Sequence, residues 1–312
     1  MSTLVAVDVG GSGLRLRVCR DGVGGPPRSA PGARVGAAGL DVAALAADAR
    51  ALLDAEGVDR PDAVCWSTRG LLFLADPADV LLAVGRSVGA RRTAVVSDAV
   101  ASLVGALGEV VPGAVVAAGT GAVAFGSDFT DHWTRVDGWG HVLGDRGSAA
   151  WVGLEGLRAA LRARDGVDGG SDGLLRTTED LLGPAESWPR RVMTGADAPE
   201  ALASVAPLVT AAAAAGDDVA AGICVAAGRS LGQSLLAAAA GLEHPRLVVT
   251  GGLFRADAVR AALDDVVHGA GASVTRSVGG ALDGALVLAS LLHGTGGLPR
   301  HPEYVHVGGS EA

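Results

Sequence analysis

Hydrophobic and polar positions along the first third of the chain follow two periods. The segments that result are strand-like runs at 4–9, 14–19, 63–67 and 93–96, and helix-like runs at 42–56, 78–88 and 99–107. Strands and helices that alternate in this way are typical of a layered α/β domain. We therefore predict one such domain over residues 1–110, with a Gly/Pro-rich loop at 22–39.

The same pattern begins again near residue 113. An apolar run at 114–117 leads into a hairpin, and the later segments are helices at 148–164, 257–267 and 281–293, a strand at 247–250, and two Ala-rich helices within 199–242. The Ala-rich pair is broken near Gly216. We predict a second α/β domain over 111–295, followed by a tail at 296–312.

Each predicted domain starts with a strand, a glycine turn and a second strand. The turns are DVGGSG at 8–13 and AGTGA at 118–122. Glycine allows consecutive backbone N–H groups to converge on an anion, and Ser12 and Thr120 add a hydroxyl to each turn. Either turn alone is compatible with an ordinary hairpin, but the pair favours two grips on one polyphosphate. The candidate phosphate-binding residues are Gly10, Gly11, Ser12, Thr120 and Gly121.

Two common phosphate motifs are excluded. The chain contains no lysine, which a P-loop requires after its last glycine. The dinucleotide fingerprint leads from its glycines into a helix, whereas the first turn here leads into LRLR at 14–17, which alternates like a strand.

Charge and composition point to a small-molecule partner. The formal net charge of −9 argues against a nucleic-acid surface. No basic-then-apolar leader and no uninterrupted apolar run of membrane-spanning length is evident, so we expect no membrane partner. The three cysteines lack C-x-x-C spacing, which is typical of reduced thiols. A cytoplasmic enzyme is the simplest class, and a homodimer stays open.

Two aspartates follow predicted strands and are candidates for chemistry. Asp98, in VVSDAVA, stands where a strand gives way to a helix. At that edge of an open sheet it could accept a proton from a substrate hydroxyl, or Ser97 or Asp98 could simply cap the helix. Asp8 immediately precedes the first turn, where it could hold a hydrated Mg²⁺ beside phosphate or cap the turn.

A third cluster lies at 137–153, in DGWGHVLGDRGSAAWVG. Trp139 could stack on a sugar face and Asp145 could accept hydrogen bonds from sugar hydroxyls. The alternative is a core tryptophan with a helix-capping aspartate. The residues alone leave both interpretations open.

The motifs DVGGSGLR, VVSDAVA, AGTGA, GWGHVLGDRGS and VVTGGLF occur in the order seen in the N-acetylglucosamine kinases and related BadF/BadG/BcrA/BcrD-type ATPases of the actin-like sugar-kinase superfamily, which the chain resembles from about residue 4 to 292. The resemblance implies an α/β fold of two ribonuclease-H-like domains flanking a nucleotide cleft, with ATP and Mg²⁺ as cofactors. It also implies Asp98 as the catalytic base, Trp139, Gly140 and Asp145 as sugar-contacting residues, and Gly251, Gly252 and Arg255 as the nucleoside-side turn.

The function implied is transfer of the ATP γ-phosphate to a hydroxyl, expected to be O6, of an amino sugar such as N-acetylglucosamine or glucosamine. The chain departs from the family pattern at Ala122, Val123 and Arg146, where polar or acidic residues are usual, and it contains no asparagine. Two alternatives remain. One is an ATPase activator of a redox enzyme, although no cysteine lies between Cys65 and Cys224. The other is a sugar or nucleotide sensor that has lost turnover.

Overall fold

The computed structural model describes residues 2–10, 13–31, 35–36, 39–68, 76–194, 198–294 and 297–309. The strands are β1 Thr3–Val9, β2 Leu14–Arg20, β3 Val23–Gly24, β4 Arg28–Ala30, β5 Val35–Gly36, β6 Gly39–Leu40, β7 Ala63–Thr68, β8 Arg92–Ser97, β9 Gly113–Ala118, β10 Ala122–Ser127, β11 Trp133–Asp137, β12 Arg246–Thr250, β13 Val274–Thr275 and β14 Val305–Gly309. The α-helices are α1 Val42–Ala55, α2 Pro77–Val88, α3 Asp98–Leu107, α4 Ala149–Arg164, α5 Asp172–Leu182, α6 Trp188–Thr194, α7 Ala198–Ala203, α8 Ala206–Ala214, α9 Asp218–Ala239, α10 Asp257–Gly269 and α11 Ala281–His293.

The chain divides into two compact units. The first contains Met1–Pro112, Asp128–Asp131 and Ser277–Ala312, and the second contains Gly113–Ser127 and His132–Arg276. This division differs from the expected one at the C-terminal end, because α11 packs against α3 and β1 in the first unit. The segment expected to be a tail at 296–312 also differs, since β14 pairs antiparallel with β8 and buries Tyr304 and Val305.

The first unit is built on a sheet of order β14-β8-β7-β1-β2-β3, with β4 also paired to β2. Strand β1 runs antiparallel to β2 and parallel to β7, and β7 runs parallel to β8. One face, which carries Val5, Val7 and Trp66, packs on apolar side chains of α1 and α2. Helix α11 packs against β1 and β7, and the parallel strands end together beside the β1–β2 turn.

Helices α3 and α11 approach closely because glycines line their contact. A methyl group on Gly105 would come 1.9 Å from the Gly280 carbonyl oxygen, and one on Gly284 would come 1.9 Å from the Ala101 carbonyl oxygen. Every residue of α3 from Ala99 to Leu107 is buried. The helix that begins at Asp98 is therefore held rigidly within the first unit.

The second unit repeats the strand order of the first, with its sheet running β11-β10-β9-β12-β13. Three antiparallel strands, β9 to β11, are followed by the parallel strands β12 and β13, as β1 to β3 are followed by β7 and β8. This repeated topology agrees with the predicted α/β fold of two ribonuclease-H-like units.

Helix α9 is, within the part of the chain that the structure describes, the one helix long and apolar enough to cross a membrane. It packs against α8, α10, β9 and β10, and its buried residues Cys224, Leu231 and Leu235 belong to the core of the second unit. Burial in that core accounts for its apolar character.

Several segments have more secondary structure than the sequence pattern predicted. The loop expected at 22–39 contains the short strands β3 and β4, both paired to β2, and β5 with part of β6. Helices α5 and α6 were not predicted, and the first of the two Ala-rich helices predicted within 199–242 is divided into α7 and α8. The Ala-rich region contains α7, α8 and α9, and Asp217 caps α9 by accepting a hydrogen bond from the Ala220 N–H.

Candidate active site

The first glycine turn joins β1 to β2 in the first unit. The Gly10 N–H donates a 3.0 Å hydrogen bond to the Gly13 carbonyl, and Val9 pairs with Leu14 on either side of the turn. The predicted phosphate-binding residues Gly11 and Ser12 lie outside the described residues. The hairpin itself is confirmed.

Asp8 lies at the centre of a row of three polar residues on neighbouring strands. It pairs in register with Arg15 of β2 and with Ser67 of β7. The Arg15 guanidinium donates to Asp8 Oδ2, and the Ser67 hydroxyl donates to Asp8 Oδ1 at 3.1 Å. Asp8 is only 4% exposed, the sole buried carboxylate among the described residues. Its chemistry fits an outer-shell partner of Mg²⁺, because each carboxylate oxygen keeps a lone pair for a metal-bound water.

Asp98 lies in the first turn of α3, at the same sheet edge as Asp8. Residue Val96, two positions before it, pairs with Ser67, which in turn pairs with Asp8. Ser97 is the N-cap of α3, since its hydroxyl accepts a 3.3 Å hydrogen bond from the Val100 N–H. Asp98 is therefore not the capping residue, and its half-buried carboxylate has a place at the carboxyl edge of the parallel strands.

A second charged pair stands further along the same face. Arg17 of β2 donates a 2.5 Å hydrogen bond to Asp283 of α11, which also accepts from the Gly280 N–H at 2.9 Å. Burial alone would raise the pKa of Asp283, but the Gly280 N–H and the Arg17 guanidinium outweigh it and lower that pKa below its ordinary value.

The second glycine turn, at 119–121, is bonded to the start of α4 in the second unit. The N–H groups of Ala149 and Ala150 donate to the carbonyls of Gly119 and Thr120 at 2.9 and 3.1 Å. In a trans peptide the N–H points away from the carbonyl. The N–H groups of Thr120 and Gly121 therefore point away from α4, side by side, as an anion-binding turn requires.

Asp137, at the end of β11, fixes the loop that carries Asp145. Its two carboxylate oxygens accept hydrogen bonds from the N–H groups of Asp145 and Arg146, each at 2.8 Å. Gly144 lies so close to this carboxylate that a methyl group there would come 2.2 Å from Asp137 Oδ1. Asp137 is not among the site residues predicted from the sequence.

Asp145 lies against the second glycine turn. A methyl group on Gly121 would come 2.7 Å from Asp145 Oδ2, and Asp145 has a left-handed backbone with φ of 53°. Ser148, not Asp145, caps α4 by accepting from the Trp151 N–H at 3.1 Å. The capping alternative for Asp145 is therefore wrong. The structure brings this predicted sugar-contacting residue beside a predicted phosphate-binding one.

Trp139 is exposed over 59% of its surface, so the alternative of a core tryptophan is also wrong. The Arg135 guanidinium lies 4.8 Å from the centre of its ring, a cation–π arrangement that orients the indole. Gly140 follows with φ of 86°, and Val142 and Leu143 of the same loop are exposed. An exposed, oriented indole is suited to stacking on a sugar.

The third glycine turn follows β12 and packs on the end of β9. Gly251 has φ of 113°, and a methyl group there would come 2.1 Å from the Ala118 carbonyl oxygen. Only glycine fits this position. Gly252 begins a short 3-10 helix, Gly252–Arg255, whose last residue is exposed. The second and third turns thus lie at one edge of the second sheet.

The match to a protein family decides what these turns belong to. The model of the BadF/BadG/BcrA/BcrD ATPase family matches residues 78–288, about two thirds of the chain. The chain belongs to the BadF/BadG/BcrA/BcrD ATPase family. Asp98, the second and third turns, Trp139 and Asp145 all lie within the matched range.

One curated relative in the comparison is an N-acetylmuramic acid/N-acetylglucosamine kinase of Clostridium acetobutylicum. It is 32% identical over 111 residues, which span 35% of this chain and 36% of that relative. The alignment therefore covers little more than a third of either protein.

Solved structures share the fold over nearly the whole chain. A candidate N-acetylglucosamine kinase of Chromobacterium violaceum matches with a TM-score of 0.72 at 22% identity, covering 92% of this chain and 98% of the other. A second candidate, from Porphyromonas gingivalis, matches with a TM-score of 0.73 at 17% identity over 94% and 99% of the two chains. A ROK family glucokinase of Streptomyces griseus, solved with glucose and AMPPNP, matches with a TM-score of 0.61 at 18% identity over 93% and 99%. These likenesses confirm the actin-like fold of this ATPase family member.

Proposed function

We propose that this protein is an ATP- and Mg²⁺-dependent kinase that transfers the γ-phosphate to a hydroxyl of an amino sugar. The observation that carries the proposal is the position of Asp98, in the first turn of a buried helix at the strand edge that also holds Asp8. A carboxylate there is suited to accept the proton of a substrate hydroxyl. The family match to ATPases and the partial match to an amino-sugar kinase support the same activity.

The proposed reaction is a direct displacement at phosphorus. Asp98 accepts the proton of the sugar hydroxyl while the hydroxyl oxygen forms a bond to the γ-phosphorus. The bond between that phosphorus and the bridging oxygen breaks, and ADP leaves with the electron pair. When bound, Mg²⁺ neutralises phosphate charge, and Asp8 is the residue that would hold its hydration shell.

The backbone turns hold the phosphates in this proposal. The paired N–H groups of Thr120 and Gly121 bind phosphate oxygens, as does the turn that starts at Gly10. Gly251, Gly252 and Arg255 bind the nucleoside side of ATP. Backbone dipoles suit this chain because it has no lysine and a net charge of −9.

The sugar is held by the loop that follows β11. Trp139 stacks on the ring, and Asp145 accepts hydrogen bonds from its hydroxyls. N-acetylglucosamine and glucosamine are the proposed substrates, with O6 as the acceptor because a primary hydroxyl is the least hindered. The three described cysteines are free and buried, as befits a cytoplasmic enzyme.

The test is coupled ADP release with ATP and Mg²⁺ against glucosamine, N-acetylglucosamine, N-acetylmuramic acid, N-acetylmannosamine, glucose and no sugar. We expect release that depends on an amino sugar. Asp98→Asn should lower kcat by about 10² to 10⁴ because it removes the proton acceptor. Asp79→Asn, which changes an exposed aspartate in the first turn of α2, is the matched control. Equal ADP release with and without sugar, or full activity of Asp98→Asn, would refute the proposal.

A further inference from the structure

The Asp8–Arg15 pair joins a buried carboxylate to an exposed guanidinium. The Asp8 side chain is 5% exposed, whereas the Arg15 side chain is 56% exposed. Ser67, which supports the other carboxylate oxygen, is completely buried. Asp8 is therefore fixed by its surroundings, while solvent screens Arg15 and makes its attachment easy to exchange.

Arg15 also stands where a phosphate chain would need a cation. It follows the first glycine turn by two residues and lies on the same face of the sheet as Asp8. Arg17, the next arginine on that face, is less exposed, at 24%, and is paired with Asp283. Since the chain has no lysine, positive charge beside this turn must come from arginine.

We propose that Arg15 is an exchangeable phosphate-binding residue. In the nucleotide-free protein its guanidinium pairs with Asp8 and keeps that buried carboxylate from standing uncompensated. When ATP binds, the guanidinium leaves Asp8 for the phosphate oxygens, and Asp8 becomes available to the water shell of Mg²⁺. Because Asp8 and the first turn belong to the proposed kinase site, this role of Arg15 rests on the proposed function.

A purely structural role for the Asp8–Arg15 pair predicts a different result. If Arg15 only clamps β2 to β1, its removal should change stability and affect all nucleotides alike. If Arg15 exchanges, its removal should weaken ligands in proportion to their phosphate chain. The length of the phosphate chain therefore separates the two roles.

The experiment is calorimetric titration of the full chain with ATP, ADP and AMP, with Mg²⁺ and with chelator, in the absence of sugar. Arg15→Gln should weaken ATP about tenfold or more while AMP changes less than about twofold. Arg15→Lys keeps the positive charge but loses the bidentate hydrogen bonding of the guanidinium, so its affinity for ATP should lie between those of the wild type and Arg15→Gln. It replaces the glutamine variant if that variant does not fold. Arg20→Gln is the matched control, since Arg20 lies at the far end of β2 and its side chain donates to the Glu56 carbonyl, away from the first glycine turn.

Asp8→Asn should change the affinity for ATP in the opposite direction. Freeing the guanidinium should tighten ATP binding in chelator a few-fold and reduce the gain in affinity that Mg²⁺ provides. Two results would overturn the proposed exchange of Arg15. One is wild-type affinity for ATP in Arg15→Gln, and the other is weaker binding of ATP in the presence of chelator in Asp8→Asn. Because no sugar is present, the titration remains valid even if the protein phosphorylates no sugar. Conversely, normal kinetics for ATP in Arg15→Gln would overturn the exchange of Arg15 and leave the proposed kinase activity unaffected.

Discussion

The Asp145 carboxylate occupies the space that a side chain on Gly121 would need, with Oδ2 only 2.7 Å from that position. The contact ties the loop after β11 to the second glycine turn within one unit. A side chain at position 121 would therefore displace the Asp145 carboxylate. In the proposed kinase, sugar and phosphate groups would be positioned together through this contact.

Gly121→Ala should separate the turn from the loop. We expect kcat/KM to fall by up to about 100-fold, because misplacing a reacting group by about 1 Å can cost that much. Thermal unfolding should change little, since the turn is at the surface of the second unit. Steady-state kinetics against the amino sugar and against ATP measure the effect.

Gly222→Ala is the control for that substitution. Gly222 lies on the exposed side of α9 with no atom within 4 Å of the added methyl, and alanine favours a helix over glycine by about 1 kcal/mol. It should keep activity and gain stability. Activity of Gly121→Ala equal to that of the control would contradict the role of the contact.

Substitution of Ser97 should mainly affect stability, whereas substitution of Asp98 should mainly affect activity. Ser97→Ala removes the N-cap of α3 and should cost about 1 kcal/mol of unfolding free energy while turnover stays within a few-fold. Asp98→Asn should lower turnover strongly while the unfolding free energy changes little. Urea unfolding and coupled ADP release on both variants measure this, and a Ser97→Ala enzyme as inactive as Asp98→Asn would be inconsistent with the division.

The α3–α11 contact should not tolerate a larger residue. Gly105→Ala would force its methyl group to 1.9 Å from the Gly280 carbonyl oxygen and should destabilise the protein by at least about 1 to 3 kcal/mol. Gly85→Ala in α2 is matched, because its nearest atom, Thr93 Oγ1, would lie at an ordinary 3.8 Å. A melting temperature of Gly105→Ala equal to that of Gly85→Ala would show that the helices can move apart at no cost.

Asp283 should contribute to acid sensitivity. Its pKa is lowered in the folded protein, so the stability it provides is present above its unfolded pKa, about 3.9, and is lost as the pH falls through the lower folded value. The contribution is small because the side chain is 45% exposed. Urea unfolding between pH 2.5 and 7 should show a shallower loss below about pH 4 in Asp283→Asn than in the unaltered protein. An unchanged slope would contradict the pairing with Arg17.

Strong hydrophobic periodicity explains which helices were predicted correctly from the sequence. The predicted bounds of α1, α2, α3 and α11 lie within one residue of those in the structure, because each has an apolar face at regular helical spacing. Helices α5 and α6 were missed because Gly, Asp and Pro are frequent around them. Strand β14 was missed because its partner, β8, lies about 200 residues earlier, and five residues carry little local signal.

The candidate site was predictable where a residue type reveals its chemistry. Asp8, Asp98 and the glycine turns follow from strand ends and backbone freedom. Arg15 was within reach, since it and Asp8 stand at equal distances from the turn in a hairpin. Asp137 was not, because it acts on backbone N–H groups eight and nine residues away, through a loop whose path the sequence does not specify.

The assignment of α11 and β14 to the first unit determines the order in which the chain can fold during synthesis. The second unit, apart from four residues at 128–131, is continuous and is complete once residue 276 has left the ribosome. By then the sheet of the first unit still lacks β14, and the face of β1 that carries Asp8 still lacks α11. In nascent chains arrested with residue 276 outside the ribosome and α11 still inside it, residues 132–276 should therefore resist protease while residues 1–112 remain open to cleavage.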